Sequence, residues 1–229
     1  HRLPIRVTDD HGAAFPDATV LVTTGDPLPY GALSDAGGIA RFDRLGASPW
    51  TVKASARGYE SVTRSGVTND LTIELRRLGS LEVRVEMPNG SPAVGATVLI
   101  GGSALWPARR TETDKSGATR IAGLLAGSYD LRATLGELVS PTLYAMQLAR
   151  GEHQTVTLRL GAGRMVRALV TDGDEDGAPV VPNADVVLAE SGLSTFPLRG
   201  RTGADGTVTL GPIGSGPATL AALNVPTLG

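Results

Sequence analysis

Cysteine is absent from the 229 residues, so disulfides, thiolate nucleophiles and cysteine-bound zinc are excluded and the compartment is left open. Long apolar runs are missing as well: no stretch approaches the roughly 18 residues of a membrane helix. Neither a signal peptide nor a block of like charge is visible. A formal net charge of −2 then argues against nucleic acid as a partner and against direct membrane insertion. Histidine occurs only as His1, His11 and His153; none has Glu or His at metal-binding spacing, and His11 and His153 read as solvated loop residues. No Gly-x-Ser-x-Gly elbow occurs and no Ser–His–acid order is evident, so catalysis is not expected. Lysine is scarce: of 21 Lys and Arg, only Lys53 and Lys115 are lysine, a bias that fits a GC-rich bacterial coding sequence.

What is present is turn chemistry and short apolar runs. Thirty glycines, fifteen prolines and 41% hydrophobic residues favour many short strands around a packed core over long helices. The strands repeat. An alternating run appears as Leu3-x-Ile5-x-Val7, Leu81-x-Val83-x-Val85 and Val166-x-Ala168-x-Val170, the pattern of a strand with one face on a core. Next comes Pro16-Asp17-Ala18-Thr19-Val20, Val94-Gly95-Ala96-Thr97-Val98 or Pro182-Asn183-Ala184-Asp185-Val186. The turns Ser34-Asp35-Ala36-Gly37, Thr113-Asp114-Lys115-Ser116-Gly117 and Thr202-Gly203-Ala204-Asp205-Gly206 follow. Later strands open at Trp50, Tyr129 and Ala218, and the first two copies close with Leu71–Leu75 and Val156–Leu160. Ala18, Ala96 and Ala184 are 78 and then 88 residues apart. Short strands with turn signals every 8–12 residues read as a β-sandwich, here three in series. Trp50 and Tyr129 occupy matching strand positions and are expected in the cores.

These landmarks resemble the carboxypeptidase regulatory-like domain, a transthyretin-like, Ig-like sandwich related to collagen-adhesin B-type repeats. The second copy is most similar, through Thr113-Asp114, Gly117, Leu124-Leu125-Ala126-Gly127 and Tyr129-Asp130-Leu131. The third departs most, since Gly203 separates Thr202 from Asp205 and the closing strands are not seen. The resemblance implies an all-β fold of three tandem antiparallel sandwiches: 1–78, 79–163 and an incomplete 164–229. It also raises the Lys–Asn cross-link of the adhesin repeats. The first-strand positions here hold Arg6, Arg84 and Leu169, and a guanidinium stays protonated, so that cross-link is not expected.

Two features carry candidate chemistry. Asp172, Asp174 and Asp176 alternate ahead of Gly177, as in the first half of a calcium loop. Asn183 stands at the twelfth position, and a solvated acidic turn is the alternative. The run from Val170 to Ala184 is 14 residues against 11 from Val7 to Ala18 and from Val85 to Ala96. Separately, each copy places an aromatic beside proline in the segment read as a loop before the Asp-Gly turn: Pro29-Tyr30, Trp106-Pro107 and Phe196-Pro197. Arg109 and Arg110 accompany Trp106, and Arg199 and Arg201 accompany Phe196. Rings beside guanidinium groups suit a protein or glycan contact, while packing against the chain's own modules is the alternative.

The functional expectation is a non-catalytic spacer of a longer bacterial cell-surface, envelope or secreted protein, lying outside the cytoplasm (extracellular, cell surface or periplasm). Its partners are then other domains of the same chain, with a surface protein or glycan as a further one, and no cofactor is needed beyond the calcium reading. A carbohydrate- or protein-binding adhesion module, or an accessory region of a secreted hydrolase, is the alternative.

Overall fold

The computed structural model describes residues 1–190 and 195–223; the end of the third expected module, up to Gly229, lies outside them. The described residues form strands and no helix. In the first stretch these are β1 (Leu3–Thr8), β2 (Thr19–Thr23), β3 (Tyr30–Leu33), β4 (Ile39–Phe42), β5 (Trp50–Ser55), β6 (Val62–Val67) and β7 (Leu71–Glu74). The second stretch holds β8 (Gly79–Glu86), β9 (Thr97–Gly102), β10 (Leu105–Glu112), β11 (Ala118–Leu124), β12 (Gly127–Leu135), β13 (Leu138–Val139), β14 (Leu143–Leu148), β15 (His153–Arg159) and β16 (Gly161–Ala162). The third has β17 (Arg164–Leu169), β18 (Asp185–Glu190), β19 (Leu198–Arg201), β20 (Thr207–Ile213) and β21 (Ala218–Leu223).

Each stretch splits its strands between two sheets. The orders are β4-β1-β7 with β3-β2-β5-β6, then β11-β8-β15 with β10-β9-β12-β13-β16 and β14 on β12, then β17-β20 with β19-β18-β21. The pairing of β1 with β7 departs from the all-antiparallel expectation. β1 and β7 run parallel, with Ile5 opposite Leu71 and Val7 opposite Ile73. A parallel neighbour needs a crossover, and β2, β3, β5 and β6 supply it by forming the other sheet. By compactness the chain divides into two units: residues 1–80 with 122–126 and 148–153, and residues 81–121 with 127–147 and 154–229.

The alternation of the first strand does what its period requires. Leu3, Ile5 and Val7 are buried, as are Leu81, Val83 and Val85, while Arg6 and Arg84 point out. Val20, Val22, Trp50, Val52, Ile73 and Leu75 complete the first core; Trp50 and Tyr129 are both buried, as expected.

The repeated turns owe their residue types to backbone geometry. Asp17, Gly95 and Asn183 stand at one position of the repeat with φ of 57°, 72° and 59°. Only Gly, Asn and Asp adopt that left-handed region readily, which accounts for the three residues found there. Beyond it, one buried hydroxyl per stretch ties two segments together. Ser34 Oγ accepts from Ala18 N at 2.9 Å and donates to Phe15 O at 2.6 Å. Thr113 Oγ1 does the same between Ala96 N (2.8 Å) and Ala93 O (2.5 Å), and Thr202 Oγ1 between Ala184 N (2.8 Å) and Val181 O (2.7 Å). Buried backbone groups need such partners. The glycine closing each turn, Gly38, Gly117 or Gly206, has φ of 70–75°. A Cβ on Gly38 would stand 2.5 Å from Val7 O, and one on Gly117 2.9 Å from Val85 O.

Candidate functional site

Tyr30 and Trp106 lie in strands where the sequence reading placed a loop, while Phe196 lies ahead of its strand as that reading had it. Tyr30 opens β3, Trp106 lies in β10, and Phe196 directly precedes β19, each strand pairing with the one that follows the Ala landmark. All three are edge strands of their sheets. Their charged residues suit that place, because charge on an edge discourages pairing with other chains.

The three aromatics share a sequence position and not an environment. Tyr30 is 38% exposed, and its hydroxyl donates to Asp26 Oδ2 at 2.9 Å. That carboxylate, which accepts from Thr24 as well, raises Tyr30 above the ordinary tyrosine pKa. Asp26 is itself held below the usual carboxylate range, chiefly by the Thr24 hydroxyl and then by Tyr30. Trp106 is 76% exposed. It falls where the β9–β10 register shifts between Leu105 and Arg109, an irregularity that commonly re-aims a side chain. Arg109 follows in the same strand, and Arg110 donates to Thr97 Oγ1 at 3.2 Å. Phe196 is buried at 6% exposure. A Cβ built on Gly101 would meet its ring edge at 3.4 Å and Thr195 Cγ2 at 2.8 Å, so glycine at 101 makes room for this packing. Arg199 is exposed on β19, and Arg201 holds Asp185 Oδ1 at 2.8 Å. Trp106 therefore faces solvent while Phe196 is consumed inside the fold, and the two do not make one aromatic surface.

The acidic segment is an exposed turn. Asp172 N donates to Pro179 O at 2.8 Å, Ala178 N to Glu175 O at 3.0 Å and Thr171 Oγ1 to Gly173 O at 2.9 Å. Asp172, Asp174 and Asp176 are all exposed. Among the described residues no three His, Cys, Asp or Glu side chains are placed to hold a metal ion.

Two groupings escaped the sequence reading. His153 opens β15 instead of lying in a loop, and its Nδ1 is 2.7 Å from Ser80 Oγ. Ser80 is 5% exposed. The other grouping sits on the outer face of β12. Arg132 is only 2% exposed, and Nη1 meets Glu190 Oε2 at 2.9 Å. Its Nη2 donates to Pro212 O at 2.5 Å, while Glu190 Oε1 accepts from Gly214 N at 2.5 Å. Arg132 Nε has no partner among the described residues. On the same face Asp130 accepts from Ala145 N at 2.8 Å and from Thr195 Oγ1. A cleft of about 470 Å³ opens beside Glu190, lined also by Val139, Tyr144, Ala162 and Ser215. Period-2 alternation assigns Arg132 to solvent, so only a covering segment distant in sequence explains its burial. Among the described residues no helix is long and apolar enough to cross a membrane.

The profile of the carboxypeptidase regulatory-like domain matches residues 3–76 and again 80–161, more than half of the chain. Comparison with curated proteins finds no match. Among solved structures, the Bacillus anthracis TIE protein is 18% identical with a TM-score of 0.35, covering 91% of this chain and 42% of its own. The chain thus spans less than half the length of that protein. The minor pilin GBS52 of Streptococcus agalactiae is 17% identical with a TM-score of 0.41, over 72% of this chain and 97% of its own. BcpA, the major pilin subunit of Bacillus cereus, is 9% identical with a TM-score of 0.29, over 96% and 87%. At these scores the likenesses carry no functional argument.

Proposed function

Because the chain belongs to the carboxypeptidase regulatory-like domain family, we propose that it is a non-catalytic spacer built from three such sandwiches in series, 1–78, 79–163 and 164–229. It holds other domains of a larger bacterial surface, envelope or secreted protein at a set distance, outside the cytoplasm. The observation that carries this reading is the buried set of Arg132, Glu190 and Phe196. It joins residues 127–135 to residues 190–214 by an ion pair, a carbonyl contact and ring packing. Polar groups desolvated in this way are directional and resist bending, where a plain linker would allow it.

The absence of cysteine makes the test clean. Spin labels placed through Ser116→Cys and Thr209→Cys report one distance by pulsed EPR, and a narrow distribution is expected. A distribution as broad as that of a flexible linker would remove the spacer reading. A second reading, adhesion to a glycan or protein, is favoured by one observation only, the 76% exposure of Trp106. Glycan-array binding that disappears in Trp106→Ala would decide for it.

A further inference from the structure

The turn between β8 and β9 carries the one Asn-Gly pair of the sequence, Asn89-Gly90; the other three asparagines precede Asp70, Ala184 and Val225. It is a tight turn, with Met87 N donating to Ser91 O at 2.8 Å and Gly90 N to Met87 O at 2.9 Å. Gly90 has φ of 84°, in the left-handed region that glycine enters without strain. The first stretch turns in the same way. Asp9 N donates to Ala13 O, Gly12 N donates to Asp9 O, and Gly12 has φ of 79°. The side chains that secure the two turns differ. In the first, Asp9 Oδ1 accepts from His11 N and Ala13 N, both at 2.9 Å. Met87 stands at the position of Asp9 and offers no oxygen, and in the second turn Asn89 supplies the acceptor.

Asn89 Oδ1 accepts twice from Ser91, from its N at 3.0 Å and from its Oγ at 2.7 Å. A backbone N–H only donates, so the atom facing Ser91 is the amide oxygen and not Nδ2. Two donors on that oxygen draw charge from Cγ and stabilise the oxyanion that forms when a nucleophile adds there. The Gly90 nitrogen is covalently tethered close to Cγ, so its attack loses little entropy. Glycine also presents no Cβ to hinder it. Residues 89–91 are exposed, and a Cβ built on Gly90 meets nothing within 4 Å. Water therefore reaches the turn, and a ring closed there has room.

We propose that Asn89 is a self-modification site, converted by water to aspartate and isoaspartate, with Ser91 as the activating residue. Gly90 N gives its proton to solvent and bonds to Asn89 Cγ. The Cγ–Nδ2 bond then breaks, and the departing nitrogen takes up a proton and leaves as ammonia. The resulting succinimide joins Gly90 N to both carbonyl carbons of Asn89. Water opens it at either carbon. Opening at Cγ gives aspartate; opening at the main-chain carbon gives isoaspartate, whose backbone runs through Cβ and Cγ. One water is consumed and one ammonia released, with no oxidation or reduction. The product adds a negative charge to the turn, and isoaspartate also lengthens its backbone by one carbon. This inference goes beyond the spacer reading and is independent of it.

The test incubates the intact chain in mildly alkaline buffer, natively and in urea, and follows the tryptic peptide 85–109 by mass. In the native chain that peptide should become about 1 Da heavier and separate into aspartate and isoaspartate forms. Ser91→Ala keeps the N–H and removes the hydroxyl donor. It should slow the native reaction about threefold to tenfold, the worth of one hydrogen bond, and leave the rate in urea unchanged. Asn89→Gln should prevent the gain. A native chain that gains no mass, or gains it only in urea, would overturn the proposal. So would a Ser91→Ala chain that reacts as fast as the parent under native conditions.

Discussion

The first and third stretches follow the same path through five strands and then part. In the first, fifteen residues form one buried cluster, from Leu3 to Leu75. In the third, the buried cluster is Val186, Leu188, Leu210 and Ile213, with Val166, Val170, Leu198 and Val208 only partly covered. One substitution contributes to the contrast: Ala218 stands at the strand position of Trp50 and Tyr129. The turn chemistry is nevertheless retained in both, since Ser34 and Thr202 make the same pair of hydrogen bonds. Local turn geometry therefore survives where the core is thin. The two layers of specification, turn and core, are separable in this fold.

The contrast predicts unequal costs for equivalent truncations. Trp50→Ala empties a site that is 3% exposed and should cost about 3–5 kcal/mol. Leu220→Ala removes a half-exposed side chain and should cost less than about 1 kcal/mol. Urea unfolding of both variants, followed by circular dichroism, measures the difference. Equal losses would mean that the third stretch is as well packed as the first.

A second break concerns what the third stretch leans on. Glu190→Ala strands the Arg132 guanidinium in a buried site, and removing one member of a buried pair typically costs about 3–5 kcal/mol. The loss should fall mainly on the transition of the unit that holds both residues. Replacing both, as Arg132→Met with Glu190→Leu, should restore most of it, because the desolvation cost leaves with the charges. A double variant no better than the single one would show that the Pro212 and Gly214 contacts matter more than the charge.

How much of this could be read from the sequence follows the range of each interaction. The repeat, the alternating strands, and Trp50 and Tyr129 in the cores depend on neighbours a few residues away, and each was legible. The parallel β1–β7 pair was not, because alternation reports which face a residue takes and carries no strand direction. Phe196 and Trp106 occupy one motif position and end with 6% and 76% exposure; what separates them is Gly101, distant in sequence from Phe196. The burial of Arg132 was not legible for the same reason, since Glu190 and Pro212 are distant in sequence. The acidic turn at 172–177 was visible as an exposed cluster, and an exposed cluster is what the structure shows.

The hydroxyl bridge gives a third, smaller test. Thr113→Val keeps the shape of the side chain and leaves Ala96 N and Ala93 O without their partner, for an expected loss of about 1–3 kcal/mol. Thr202→Val should cost the same if turn and core are independent, and less if a thin core lets water reach Ala184 N and Val181 O. The hydrogen-exchange rates of Ala96 and Ala184 separate the two outcomes.

The smallest effect is expected from acid. Asp35 lies below its ordinary value of 3.8, held first by the Ile39 N–H and then by Arg41. Asp114 is lowered by Ser116 and by the Ala118 N–H, and Asp205 by the Thr207 hydroxyl and N–H. A carboxylate with a depressed folded pKa stabilises the fold fully above its unfolded value, and that contribution is lost as pH falls through the folded one. Stability should therefore be flat from neutrality to about pH 5 and decline below about pH 4. All three groups are solvent-exposed, so the decline should be shallow. Asp35→Asn should remove its share at about pH 6, and the loss should shrink as the pH falls through the native carboxylate's lowered value. Asp35 accepts directly from the Arg41 guanidinium, whereas the Arg167 guanidinium stands 3.9 Å from Asp205, so Asp205→Asn should flatten the curve less. Equal flattening by the two variants would mean that the guanidinium contact does not set the acid response.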